Sequence, residues 1–182
     1  MEKNIYYHSL KRKPVNLIPV LLVLSTFIFI TIIFINSGKK YIVYNHTDSI
    51  PKGFYYLNND IDIESVKNGD LVVFDVPYHV KEMVINRRWL NVSDTLTKPV
   101  SAKAGDFVCT NNKTVIVNNI SYGSIEEYDS NGREMPWFKY CGIVKKGDVF
   151  VFIDNSKSFD SRYYGPIPAA EIIAKATPLW IF

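Results

Sequence analysis

From Val15 to Ile35 the chain reads VNLIPVLLVLSTFIFITIIFI, an uncharged apolar run. As a helix it would reach roughly 32 Å, enough for a hydrocarbon core of about 30 Å. A core helix of that length would carry a polar face, and none recurs here at helical spacing. Asn16 and Pro19 fall near its start, where headgroups and water tolerate them. The run predicts one transmembrane anchor. It exceeds the h-region of about 7–15 residues typical of a cleavable signal peptide, and INSGKK beyond it has no A-x-A pattern.

Past the anchor the period changes. Tyr41–Tyr44, Phe54–Leu57, Leu71–Val76, Phe107–Thr110, Thr114–Val117 and Val149–Ile153 are short runs rich in β-branched and aromatic residues. Gly, Asn, Asp and Pro separate them, so they read as strands. Gly69-Asp70, Gly105-Asp106 and Gly147-Asp148 each lead into an apolar run, without a fixed repeat. Val80, Met83, Val84 and Arg87 recur at helical spacing in VKEMVINRRWL, which admits a short amphipathic helix or a surface loop. The fold class expected is all-β: one domain of short strands on a single helix. The divisions are a tail at 1–14, an anchor at 15–35 and an outer domain at 36–182.

Charge adds the orientation. The net charge is only +3, with 21 Lys and Arg against 18 Asp and Glu and no like-charge block, so no nucleic-acid partner is indicated. Lys3, Lys11, Arg12 and Lys13 precede the apolar run, whereas Lys39 and Lys40 follow it. The positive-inside tendency puts the tail in the cytoplasm and the outer domain outside it. Membrane lipid is then a partner. Cys109 and Cys141 are too few for a disulfide scaffold and lack metal-ligand spacing, and no cofactor signature appears. They read as two buried thiols or as one disulfide.

The candidate chemistry begins at NHTDSIPKG. Pro51 fixes φ two residues after Ser49 and Gly53 permits positive φ, a constrained turn able to present a hydroxyl beside backbone N–H groups. A base is needed. His46 or His79 with Asp48 or Asp75 is one option, although no G-x-S-x-G elbow surrounds a serine. Lysine is the other, provided burial lowers its pKa from about 10.4 towards 7–8, at roughly 3–5 kcal/mol. Lys98 and Lys103 both lie in TLTKPVSAKAGD. On a strand Lys98 would share its face with Val100 and Ala102, and Lys103 with Ser101 and Pro99. That period favours Lys98. In NSKSFDSRYYGP, Asp160 and Arg162 would point to one side of an extended segment, while Ser158 and Ser161 offer hydroxyls to orient an amine. A decorated hairpin loop is the alternative.

Taken in order, Ser-x-Pro-x-Gly after an anchor, a Lys seven residues before Gly-Asp, and Asp-Ser-Arg-Tyr-Tyr-Gly resemble the boxes of bacterial type I signal peptidases. YDSNGREMPWF, Cys141-Gly142, GDVFVFI, SFDSRYYGPIP and ATPLW resemble the TraF-type conjugative-transfer peptidases. The resemblance covers nearly everything beyond residue 15. It implies a β domain of the LexA/signal-peptidase type and a serine endopeptidase whose substrate is an exported precursor. In TraF-type relatives that precursor is a pilin, cleaved and in some cases cyclised, and other conjugation or secretion components are implied as partners.

The implied roles are Ser49 as nucleophile, Lys98 as general base, the Ser49 N–H with the Thr47 hydroxyl as oxyanion donors, and Ser158 orienting the amine. Asp160 and Arg162 match a structural ion pair, and Cys109 with Cys141 a disulfide of the subfamily. Pro99 departs from the family pattern and implies an edge or bulged strand at Lys98. Ala104-Gly105-Asp106 replaces Pro-Gly-Asp. Two other readings remain: a non-catalytic anchored β scaffold, and a self-cleaving repressor-like Ser-Lys protein, whose DNA-binding segment the apolar run displaces.

Overall fold

The computed structural model describes residues 16–36 and 41–182, and the chain divides into two compact units, 1–39 and 40–182. The first contains helix α1 (Ile18–Asn36). Asn16 Oδ1 accepts the Ile18 N–H at 3.1 Å. Ser25, Thr26 and Thr31 donate their hydroxyls to carbonyls one turn back, so the helix satisfies its own polar groups. Its apolar side chains from Ile18 to Ile33 are exposed. Among the described residues no helix is long and apolar enough to cross a membrane. The expected tail at 1–14, and Val15 at the start of the expected anchor, lie outside the described residues.

The second unit is built on two antiparallel sheets. Its elements are β1 (Ile42–Asn45), β2 (Gly53–Asn58), β3 (Leu71–Asp75), α2 (Tyr78–Asn86), β4 (Thr95–Lys103) and β5 (Phe107–Cys109). Then come β6 (Thr114–Val117), β7 (Ile120–Ser124), β8 (Cys141–Ile143), β9 (Asp148–Val151), α3 (Ser161–Tyr164), β10 (Ile167–Pro168) and β11 (Ile172–Ile181). The larger sheet runs β1-β2-β11-β3-β4-β9-β10, and the smaller β7-β6-β5-β8. Cys109 and Cys141 face each other across β5 and β8 and are disulfide-bonded.

Alternation along β3 shows why the larger sheet is buried on both faces. Val72 and Phe74 pack with Val80 and Val84 of α2 in one core. Val73, between them, packs with Ile50, Tyr55, Leu57, Ala174 and Ala176 in another, which lies beneath the loop after β1. Each such side chain contributes about 1.5–3 kcal/mol when fully buried.

The domain is mostly β rather than all-β. The helical spacing from Val80 does form a helix, because Val80 and Val84, four apart, reach the core together. The segment holding Asp160 and Arg162 is not extended. Asp160 accepts the Arg162 N–H at 3.2 Å and caps the single turn of α3. Pro99 lies where β4 pairs with β3 alone, since β9 joins β4 only from Val100 onward, and the irregularity of β4 follows between Val100 and Ala102. There the Ser101 hydroxyl donates to Phe152 O at 2.8 Å and accepts Phe152 N–H at 3.2 Å. This side-chain bridge replaces ladder bonds and sends Val100 and Ala102 into different cores, so Val100 shares the face of Lys98, which stands opposite Val72, and Ala102 does not.

Candidate active site

Ser49 sits on the loop that joins β1 to β2, and three contacts shape that loop. Asn45, the last residue of β1, donates from Nδ2 to the carbonyls of Thr47 (2.9 Å), Ile50 (2.9 Å) and Pro51 (3.2 Å). Tyr55, fully buried, donates its hydroxyl to Pro51 O at 2.6 Å. Gly53 has φ 151°, and a Cβ there would lie 2.0 Å from the Trp180 carbonyl of β11. The serine turn is therefore fixed from strand end, floor and flank.

Lys98 reaches the same point from β4. Its Nζ lies 2.8 Å from Ser49 Oγ and 2.8 Å from Ser158 Oγ. Only 3% of the residue is exposed. Burial pushes its amine down to about 8; the Asp160 carboxylate opposes this and the Arg162 guanidinium reinforces it. At pH 7 about one molecule in ten then carries a neutral amine, against fewer than one in a thousand for an ordinary lysine.

Beneath lies a closed ionic network. Arg162 Nε donates to Asp160 Oδ1 at 2.8 Å, with both side chains fully buried. Its other nitrogens donate to the carbonyls of Ser124 (2.9 Å) and Ile153 (2.6 Å), while Ile153 N–H donates to Asp160 Oδ2 at 3.3 Å. Burial raises the Asp160 carboxyl against the pull of Arg162 and Lys98. This pair ties α3 to β7 and to the chain after β9, and so fixes Ser158.

The remaining candidates lie elsewhere. Thr47 is on the Ser49 loop, but its hydroxyl donates to Asn45 Oδ1 at 2.7 Å rather than into open space. Ser161 accepts Val151 N–H at 2.9 Å and does not reach the amine. Lys103 donates to Val66 O at 3.2 Å. His79 Nε2 lies 3.0 Å from Tyr164 O, and Asp48 pairs with Lys52 at 2.9 Å, so neither forms a triad with Ser49. Two organising residues, Asn45 and Ser101, escaped the sequence reading, since a strand-end Asn and a mid-strand Ser carry no distinctive spacing.

Ser49 and Lys98 open onto a groove of about 760 Å³. Val43–Thr47 form one wall, Asp94–Lys98 another, and Trp89, Tyr128 and Met135 close the far side. β9 pairs with β4 only from Val100 onward, so the Thr95–Thr97 stretch presents backbone towards the groove. Arg87 and Arg133 both pair with Asp129, and Arg87 lies over the Trp89 ring at 5.2 Å. That cluster binds the end of α2 to the loop after β7. Among the described residues no group of His, Cys, Asp and Glu is placed to hold a metal ion.

The model of the family described as "Signal peptidase, peptidase S26" matches residues 15–181. A conjugal transfer protein TraF of Agrobacterium fabrum is 34% identical over 88 residues, 48% of this chain and 49% of that protein. The thylakoidal processing peptidase 1 of Arabidopsis thaliana is 32% identical over 108 residues, 59% of this chain and 30% of that protein. A plasmid transfer protein TraF of Escherichia coli is 29% identical over 146 residues, 74% of this chain and 80% of that protein. The chain thus spans about half or less of the length of the first two relatives.

Proposed function

We propose that this chain, a member of the signal peptidase family S26, is a serine endopeptidase with Ser49 as its nucleophile and Lys98 as its general base. One observation carries this reading: a lysine amine 3% exposed, lowered to about 8, lies 2.8 Å from a serine hydroxyl on a constrained turn. The neutral amine takes the Ser49 proton as Oγ attacks the scissile carbonyl. The resulting ammonium gives that proton to the departing amine. Water then enters and yields its proton to the same Nζ as its oxygen bonds the acyl carbon; the bond from that carbon to Ser49 Oγ breaks, and Nζ returns the proton to Oγ. The Ser49 N–H supports the oxyanion. Thr47 joins it only if its hydroxyl turns from Asn45, and Ser158 holds the lysine amine in line.

The substrate is an exported precursor, bound as an extended strand along the Thr95–Thr97 edge. The relatives named for conjugal and plasmid transfer favour a pilin-like precursor of a conjugation system, cleaved and then released or joined to an amine. The anchor is the apolar run 15–35, with the domain 36–182 outside the cytoplasm and membrane lipid around the helix. The internal bonding of Ser25, Thr26 and Thr31 suits a helix in hydrocarbon, where every polar group must find a partner within the protein.

The test is co-expression of candidate pilin precursors with wild type, Ser49→Ala, Lys98→Ala and Lys103→Ala. Processing should stop with the first two and persist with the third. Processing that survives Ser49→Ala removes the enzyme assignment, and loss with Lys103→Ala alone moves the base. An alkaline phosphatase fusion after residue 182 should be active; a stable but inactive fusion inverts the topology.

A further inference from the structure

Ser49 borders a second cleft. Leu71, Pro99, Ile153 and Phe182 line it, Asp48 and Lys52 stand at its rim, and it encloses about 610 Å³. It shares only Ser49 and Ile50 with the groove that contains Lys98. The nucleophile therefore stands at the junction of two clefts. Resting on the assignment of Ser49 as nucleophile, we infer that this second cleft binds the residue following the scissile bond, and afterwards the amine that accepts the acyl group.

The division follows from what each half of a substrate must do. The acyl half stays attached to Ser49 after the first step and needs a deep site with free backbone. The Lys98 groove supplies that, lined by β1 and by the Thr95–Thr97 stretch, which pairs with β3 on one edge and is not reached by β9 on the other. The amine half must depart, and its place must be taken by water or another amine, so it suits the shallower cleft. In the second step an amine attacks the acyl ester. A C–N bond forms, the bond from carbonyl carbon to Ser49 Oγ breaks, and the amine's proton passes through Lys98 Nζ to Oγ. No oxidant or reductant enters, and the acceptor must stand beside Ser49 when it attacks.

The lining defines the chemical class. Asp48 and Lys52 are paired at 2.9 Å, so the rim offers no net charge. The floor is aliphatic and aromatic: Leu71, Pro99 and Ile153 are half-buried, and Phe182 is 71% exposed, its ring 6.4 Å from that of Phe54. An apolar side chain after the cut gains contact there. A carboxylate loses hydration without a partner.

The experiment uses the full chain in detergent and a peptide series of constant acyl half, with Leu, Phe, Gly, Asp or Lys after the cut. Leu and Phe peptides should exceed the Gly and Asp peptides by about tenfold in kcat/KM, the scale of one hydrophobic contact. With leucinamide or glycinamide added, leucinamide should capture more acyl-enzyme. Phe182→Ala and Ile153→Ala should each flatten both preferences and leave discrimination on the acyl side unchanged. Should one variant fail to fold, the other reads the same floor. A flat wild-type series, or a preference that survives both variants, overturns the inference while the peptidase assignment stands. Cleavage of every peptide by Ser49→Ala would instead remove that assignment.

Discussion

Ser158 Oγ lies 2.8 Å from Lys98 Nζ, sixty residues apart in sequence and 3% exposed each. An amine so enclosed has few directions in which to point. Ser158 gives it a second partner without adding charge, and so holds it towards Ser49 without raising its pKa as a carboxylate in that place would. Ser158→Ala should leave the fold intact at a cost of about 1 kcal/mol. It should lower kcat by about 10²-fold through misalignment, with KM little changed. Steady-state kinetics beside a melting curve separate the two effects; equal loss in kcat and stability would make Ser158 merely structural.

The pH dependence follows from Lys98. Its folded-state pKa of about 8 lies below the ordinary 10.5, so the neutral form that the proposed base requires accumulates as pH rises through 8. The rate constant kcat/KM should climb about tenfold per unit below that value and level off above it. Stability carries the same sign. Between about 8 and 10.5 the unfolded chain binds the proton that the folded chain lacks, so stability rises across that window. Lys98→Met should abolish cleavage and remove this rise. It should also stabilise the protein at pH 7 by about 1–3 kcal/mol, having no charge to desolvate. Denaturant melts at pH 7 and 9.5 check both signs.

Asp160 offers the complementary test. Its carboxylate holds the Lys98 pKa up, so Asp160→Asn should shift the pH–rate midpoint to lower pH in whatever protein folds. It should also cost about 3–5 kcal/mol, since the fully buried Arg162 guanidinium loses its charge partner. A midpoint moving upward would refute the electrostatic account, whatever the stability.

Much of this site was legible in the sequence because its parts obey local rules. Burial of Lys98 follows the period of TLTKPVSAK, and the turn at Ser49 follows from Pro51 and Gly53. Long-range consequences were not legible. β11 went unread because its inward positions, Ala174 and Ala176, are too small to mark an alternation, yet it lies between β2 and β3 in the larger sheet. The bulge at Ser101 depends on Phe152, fifty-one residues away. The cap by Asp160 turned an expected extended segment into a helical turn. The apolar run read as a full span, whereas among the described residues no helix is long and apolar enough to cross a membrane.

Asn45 carries a prediction that spacing did not suggest. Its amide nitrogen bonds the carbonyls of Thr47, Ile50 and Pro51 in the Ser49 loop, and its oxygen takes the Thr47 hydroxyl. Asn45→Asp keeps the oxygen and loses every donor, placing an acceptor against three carbonyls. The loop should open, with kcat/KM falling by at least about 10²-fold and stability by about 1–3 kcal/mol. Asn45→Ser should retain part of the activity. Equal activity of wild type and Asn45→Asp would show that the loop is held without this side chain.

Gly53 tests the same loop from its other end. The backbone at residue 53 is at φ 151°, and the Trp180 carbonyl leaves 2.0 Å where a Cβ would stand. Because the obstacle is backbone of β11 rather than a mobile side chain, Gly53→Ala must push β11 away or unwind the loop. β2 and β11 pair directly, with Gly53 opposite Ile181, so the displacement falls on the strand that supports Ser49. The expected cost is about 2–4 kcal/mol, from strain at an unfavourable φ together with the clash. Activity should fall further than stability alone explains, because the surviving folded molecules carry a shifted serine. Thermal melts give the first quantity. Titration of active sites with a serine-reactive acylating probe gives the second, as a slower rate of acylation per folded molecule. An unchanged acylation rate would mean that the loop absorbs the Cβ without moving Ser49.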